Sequence, residues 1–435
     1  MVINQDNLNI FMYNDRTYIR LWRVTLLKEI RFIHTADLHL DSPFLGLSHL
    51  PEKIFSHIQE STFTAFQKVV DAALESDVDF IVIVGDLFDG EDRSIKAQAR
   101  LRRQLERLKE AEIDAFISYG NHDHLAGNWL TLEMPTNVHL FNNQVEAVSF
   151  TAKNGLNVHL YGFSYPERHV FERKVQKYQK LPGADLHIGL LHGQWEESNA
   201  SHQPYAPFSK KELLEKDFDY WALGHIHQRQ ILHSDPYIVY PGNIQGRHRK
   251  EEGKKGCYEV KISLDGTTHL RFIETSELRW KTESIILEKN TTLTELYSIC
   301  DKMMESMLVG SSQSILLQLT IENPTYLSQS VKQKVENREF LEMLQDEVNT
   351  AKMFIWPYDI KVEQDTTGLP LYSDSFLNML NETSESMLGT EEFEESLSSL
   401  FSHVYASRYL YEMEESEKGE LMEAAKKIVM EKLKE

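Results

Sequence analysis

Five short segments carry side chains that could do chemistry. They are Asp37-Leu38-His39, Gly85-Asp86-Leu87-Phe88-Asp89, Gly120-Asn121-His122-Asp123, His192-Gly193 and Gly224-His225-Ile226-His227. Each supplies Asp, Asn or His, the ligand types that hard and borderline divalent cations take. Four of the five hold a glycine, which permits tight turns and close backbone approach. Singly each is ordinary. Asp-x-His arises by chance, a lone His is commonly a core or surface residue, Gly-Asp after a strand is a turn, and Asn-His-Asp is a capping segment. The five together, in this order and each at or just past an apolar run, form a different signal. It is the pattern of a metal-dependent site assembled from strand ends.

The elements that must position these segments are legible from hydrophobic periodicity. Arg31 to Ala36, Phe80 to Val84, Ala115 to Ile117, His187 to Leu191 and Tyr237 to Tyr240 read as strands. Helical patterns near 51–76, 94–111 and 209–216 lie between them, so residues 28–275 form a layered α/β domain. In open α/β sheets, sites form at the carboxyl ends of strands, and there the polar segments fall. Residues 276–365 read as a small α+β domain. Its strands are Ser284 to Leu287, Ser314 to Thr320 and Asp359 to Val362, with helices at Leu293 to Met307 and Val331 to Val348. Gln364 to Pro370 has linker composition. The helical remainder of a 366–435 tail is acidic: residues 371–435 hold 15 acidic against 6 basic side chains. Residues 1–27 have no period of their own. They are either an extra strand or a leader outside the fold, and the second reading is the expectation.

The net charge is −21, which excludes a purely electrostatic nucleic-acid binder. No apolar run reaches the ~18–20 residues of a membrane span, and the first thirty residues lack the apolar stretch of a secretory signal. Cys257 and Cys300 have no metal-type spacing; they allow one disulfide, but two lone thiols better suit a reducing, cytoplasmic setting.

The five segments resemble the pattern of the calcineurin-like metallophosphoesterases, D-x-H, G-D-x-x-D, G-N-H-D/E, H and G-H-x-H, over roughly residues 28–275. The run Phe32 to Phe44 is similar to the SbcD-like branch of that family, and within it to the YhaO-type DNA repair exonucleases. The resemblance implies a layered β-sandwich flanked by helices, a small cap domain at 276–365 and two divalent metal ions. It gives one metal Asp37, His39, Asp86 and His227, and the other Asp86, Asn121, His192 and His225, with Asp86 shared. The mixed nitrogen and oxygen donors suit Mn²⁺, with Fe²⁺ or Zn²⁺ as alternatives. His122 is implied as the general acid, and Asp123 as the residue that orients it or a ligand. Asp89 stands where some nucleases of this group carry His. Asp41 stands where many have Gly, and either caps the next helix or adds charge beside the substrate.

The implied activity is a DNA nuclease, a 3′-to-5′ exonuclease or end-processing endonuclease of repair. The alternative is a phosphodiesterase or phosphatase acting on small molecules or phosphoproteins. Arg247, Arg249 and Lys250 form a basic loop that contacts phosphates or is merely solvated. Lys96, Arg100, Arg103 and Arg107 share a helix face open to the same two readings. Phe393, Leu397, Leu400, Phe401 and Val404, and then Leu421, Ala425 and Ile428, form stripes in the tail. These fold back on the cap or dock an SMC-like ATPase, the partner the resemblance implies. It also implies homodimers through helices of the nuclease domain, with 51–76 the candidate by position.

Overall fold

The computed structural model describes residues 28–432 apart from 45–46, 48–49, 91–92, 128–131, 197–203, 312, 347, 349–352, 364–373, 389, 402–412 and 414. The 1–27 extension, the 364–370 linker and Val404 lie outside the described residues. The chain divides into two compact units. The first holds the described residues to Ser42, Gln59–Arg247 and Gly253–Glu277; the second holds Pro43–Ile58, His248–Glu252 and the chain from Leu278 onward.

In chain order the first fourteen strands and helices are β1 (Glu29–Ala36), α1 (Glu52–Glu75), β2 (Phe80–Val84), α2 (Ile95–Glu110), β3 (Asp114–Ser118), β4 (Val138–Leu140), β5 (Glu146–Thr151), β6 (Asn157–Gly162), β7 (Leu186–His192), α3 (Lys210–Leu214), β8 (Tyr220–Gly224), β9 (Gln230–Ser234), β10 (Tyr237–Tyr240) and β11 (Gly256–Ser263). β12 (Thr268–Glu274) closes the series. They build two six-stranded sheets, ordered β12-β11-β1-β2-β3-β4 and β5-β6-β7-β8-β10-β9. Neighbouring pairs from β1 to β4, and β6-β7, β7-β8 and β8-β10, are parallel.

The period-two alternation of a strand explains the layers. Phe32, Phe80, Val82 and Phe116 join Leu160, Ile188, Leu190, Tyr220 and Val239 in one buried core. Ile33, Ile81 and Ile83 point the other way, against Phe66, Val69 and Val70 of α1 and Leu101, Leu105 and Leu108 of α2. With both faces covered, the strands read as continuous apolar runs rather than alternating ones. Buried His34 of β1 ties the sheets together. Its Nδ1 lies 3.0 Å from the Tyr220 hydroxyl and its Nε2 lies 3.1 Å from the Leu223 carbonyl. Burial drives its pKa down to about 3.

The second unit contains β13 (Leu278–Ile286), α4 (Leu293–Leu308), β14 (Ser314–Glu322), α5 (Gln329–Glu336), α6 (Glu339–Asp346) and β15 (Ile355–Val362). Its sheet, β13-β14-β15, is parallel throughout, so the helices serve as the crossovers that parallel strands require. The helix read over 331–348 is two: Asn337 caps α5, and Arg338 takes a left-handed φ of 70°. Helices α7 (Asp374–Met387), α8 (Glu391–Phe401) and α9 (Glu415–Lys432) follow. Phe393 is buried, whereas Leu421, Ala425 and Ile428 are exposed. Lys418 of α9 pairs with Glu394 of α8 at 2.6 Å. Both cysteines are buried and free. No described helix is long and apolar enough to cross a membrane.

Candidate metal centre

The five polar segments converge at the carboxyl ends of the two sheets of the first unit. The turn after β1 runs alongside the turn after β2. Asp37 N–H donates to the Gly85 carbonyl at 3.2 Å, His39 N–H to that of Asp86 at 3.0 Å, and Leu40 N–H to that of Leu87 at 2.9 Å. This lacing holds Asp37, His39 and Asp86 at φ values of 51°, 42° and 49°. Left-handed backbone costs a non-glycine residue about 1–3 kcal/mol and persists where surrounding structure enforces it, most often at functional sites. Two glycines make room. A Cβ on Gly85, itself at φ +78°, would lie 2.0 Å from His192 Nδ1, and one on Gly120 would lie 2.3 Å from Asp86 Oδ1.

Two sets of donor atoms result. In one, His39 Nε2 and His227 Nε2 face each other at 3.0 Å, and Asp37, His39 and His227 bring ligand atoms within 4.8 Å of one another. In the other, Asn121 Oδ1 lies 3.1 Å from His192 Nε2 and 3.2 Å from His225 Nδ1. Asp86 Oδ2 lies between the sets, 3.8 Å from His39 Nε2 and 3.4 Å from His192 Nε2. Neighbouring ligands each about 2.1 Å from one cation stand about 3.0–3.4 Å apart, so the donor atoms are spaced to hold cations.

The electrostatics match. Asp37 and Asp86 are fully buried. Burial raises Asp37 above the usual carboxylate range. Burial also acts on Asp86, but His192 and His122 outweigh it and hold Asp86 well below that range. Burial alone would lower His192; the carboxylates of Asp86 and Asp37 reverse this and raise it to about 9. His225 falls to about 3 through burial and the neighbouring His192. The pocket thus carries buried negative charge that draws a proton to His192 and leaves His225 neutral, and a divalent cation suits that combination of carboxylates and imidazoles.

Around the donors lies a second set of contacts. Asp89 Oδ1 is 2.9 Å from His39 Nδ1, its Oδ2 accepts from Ser42 Oγ at 2.7 Å, and it pairs with Arg247. With a proton on Nδ1, His39 presents the lone pair of Nε2 to the cluster. His122 Nδ1 is 3.1 Å from the Asp89 carbonyl, and its ring meets that of His39 edge-on at 5.1 Å. His122 N–H donates to Asp86 Oδ1 at 2.9 Å. Asp123 is buried and accepts at 2.7 Å from both Gly120 N–H and Leu87 N–H, tying the turn after β3 to that after β2. Burial and then Asp86 raise Asp123 to about 6.

The basic loop is not a free cationic surface. Arg247 is engaged by Asp89 and Arg249 by Glu420 of α9. Lys250 N–H donates to His248 Nδ1 at 3.2 Å. Lys255 is buried, with Nζ 2.9 Å from the His227 carbonyl, so it braces the turn after β8. Lys96 and Arg100 pair with Glu60 and Arg107 with Asp71, so three of the four stripe residues meet acid. Asp41 does not cap α1, which starts at Glu52, eleven residues on; it is exposed in a left-handed turn at φ 63°.

Three supporting residues have no sequence signal. Arg93 is buried, 4.6 Å over the Tyr119 ring, with Nη2 donating to the His124 carbonyl at 3.1 Å. The Tyr165 hydroxyl donates to the His192 carbonyl at 2.8 Å, and that of Tyr240 to the Gly193 carbonyl at 2.6 Å.

The sequence profile of the calcineurin-like phosphoesterases matches residues 30–229. The uncharacterized metallophosphoesterase YhaO of Bacillus subtilis is 37% identical over 412 residues, 94% of this chain and 99% of that one. The DNA double-strand break repair protein Mre11 of Methanopyrus kandleri is 23% identical over 291 residues, 60% of this chain and 59% of that one. Mre11 of Sulfurisphaera tokodaii is 26% identical over 245 residues, 52% and 59% of the two chains. The chain thus matches nearly the whole of YhaO and about three fifths of these Mre11 proteins.

Proposed function

This chain belongs to the calcineurin-like metallophosphoesterase family, and from that premise we propose that it is a two-metal DNA nuclease acting on DNA ends in repair. The single observation that carries the reading is Asp86 Oδ2 standing between two donor sets, 3.8 Å from His39 Nε2 and 3.4 Å from His192 Nε2. Asp37, His39, Asp86 and His227 would hold one divalent ion, and Asp86, Asn121, His192 and His225 the other. Mn²⁺ suits these donors, as do Fe²⁺ and Zn²⁺. Two such ions would supply an activated water and neutralise phosphate charge. His122, half-buried at the rim, donates a proton to the departing oxygen. Asp89 sets His39 by its side chain and His122 by its carbonyl, so one residue aligns a ligand and the acid. Asp123 fixes the turn that presents Asn121 and His122.

The same reading makes residues 28–275 the nuclease domain and 276–365 a cap. The tail from 366 docks an SMC-like ATPase, for which the exposed Leu421, Ala425 and Ile428 offer an apolar face. Homodimers through residues 51–76 and a cytoplasmic location belong to it as well. The Mre11 relatives support DNA as substrate. The net charge of −21 and the internal pairing of Arg247 and Arg249 favour the second reading, a small-molecule diester or phosphoprotein.

One assay separates them. The purified chain with Mn²⁺ is given end-labelled duplex DNA and, in parallel, a small chromogenic diester. Shortening of the DNA is the expected result. Cleavage of the small ester alone, with and without an ATPase partner, would rule out the nuclease reading.

A further inference from the structure

Beside the donor cluster stand three aromatic rings, of which Tyr205 packs against the core and His169 and Phe171 are exposed. His169, Phe171 and Tyr205 form a triangle of offset rings, each pair with centroids 5.6–5.9 Å apart and planes within 22° of parallel. Phe171 is 44% exposed, although it lies in a unit whose core is otherwise well filled. The chain segments beneath the rings are held by other means. Ala206 N–H donates to the Val170 carbonyl at 2.6 Å, Gln194 N–H donates to the Tyr205 carbonyl at 2.9 Å, and Val170 and Ala206 are buried. Gln194 lies two residues past His192, so the stack is anchored to the metal-site turn. The half-buried member, Tyr205, meets the His225 ring edge-on at 5.5 Å and 82°.

From this placement we infer that His169, Phe171 and Tyr205 form a stacking platform for the nucleobase adjoining the phosphate held at His192 and His225. The inference rests on the nucleic-acid reading of the same site and names what that reading leaves open, how a chain of net charge −21 holds its substrate. Base–aromatic stacking is indifferent to net charge and to sequence, because every base offers a π-face. Phosphate is fixed by the cluster and the base by the rings, so little cationic surface is required.

The test uses the full chain with Mn²⁺ and the variants Phe171→Ala and Phe171→Trp. KM and kcat are measured on a single-stranded deoxyoligonucleotide, and Ki values of deoxyadenosine monophosphate and inorganic phosphate are measured against a small diester. Phe171→Ala should raise the oligonucleotide KM about tenfold with far less change in kcat. It should weaken deoxyadenosine monophosphate by a similar factor without moving phosphate, and Phe171→Trp should retain wild-type values. The platform is refuted if the two Ki values move together, or if neither moves. Should the wild-type chain leave the oligonucleotide uncut, the nuclease reading fails, while the inhibitor pair still decides the platform.

Discussion

The first sheet contributes Asp37, Asp86 and Asn121 to the cluster, and the second contributes His192, His225 and His227; only His39 breaks the division between oxygen and nitrogen. The two sides are built differently. On the oxygen side the backbone is forced into left-handed turns at Asp37, His39 and Asp86, and these turns are laced to one another. On the imidazole side His192 ends a regular strand, braced through its carbonyl by Tyr165. The oxygen side places fixed charge where burial opposes it. The imidazole side answers with groups whose charge adjusts, raised at His192 and lowered at His225. Strain is not confined to the oxygen side, since His225 takes a φ of 97°; the left-handed residues sit in the turns after β1, β2 and β8, whereas His192 is held within a regular strand. The second unit differs from both sides. Its strands are parallel too, yet the residues just past β13, β14 and β15 carry no histidine, and no metal-type cluster forms there among the described residues.

The contrast can be broken first at Asp86. Asp86→Ala should lower both metal occupancies and cut kcat/KM by more than about 10³-fold, beyond the ~10–100-fold typical of losing a ligand's hydrogen-bond partner. Elemental analysis that found two metals still bound would end the shared-carboxylate assignment. A smaller effect is expected at His122, which belongs to neither donor set. His122→Ala should keep both metals and lose about 10²–10⁴-fold in turnover; a fall in metal content would make it a structural residue instead.

Asp89 sharpens the comparison on the oxygen side. Burial alone would raise its pKa, but Arg247 and His39 hold it below the usual carboxylate range. Asp89→Asn should weaken metal binding or activity about 10–100-fold, and a variant with wild-type metal affinity and turnover would show that His39 needs no such partner. The smallest effect concerns His34, which joins the two sheets. Its folded pKa of about 3 lies below the unfolded value of 6.5. The stability it contributes is therefore full above pH 6.5 and is lost as pH falls from there towards 3. His34→Gln, which does not titrate in this range, should show a shallower loss of stability over that interval in melting experiments. Identical slopes would mean that the ring is not held neutral.

Much of this was legible along the chain because strand ends are local. β2 is a continuous apolar run, β1, β3 and β7 carry apolar stretches, and the polar residues that follow them are adjacent in sequence. The break at Arg338 was not legible, because a left-handed residue inside an amphipathic pattern leaves the pattern intact. Nor was the fate of Arg247. A basic residue in a loop looks the same whether it meets solvent or Asp89, 158 positions away.

The sequence by itself determined the layered α/β plan, which follows from periodicity, and singled out the five polar segments by residue type, while their grouping into two ligand sets came from resemblance. The tertiary structure decided that Asp86 lies between the two donor sets, that Asp89 and Lys255 act as braces, and that Tyr205 is brought against His225. The reason is physical. Periodicity depends on neighbours a few residues apart, whereas a donor's role depends on which distant side chains burial forces against it.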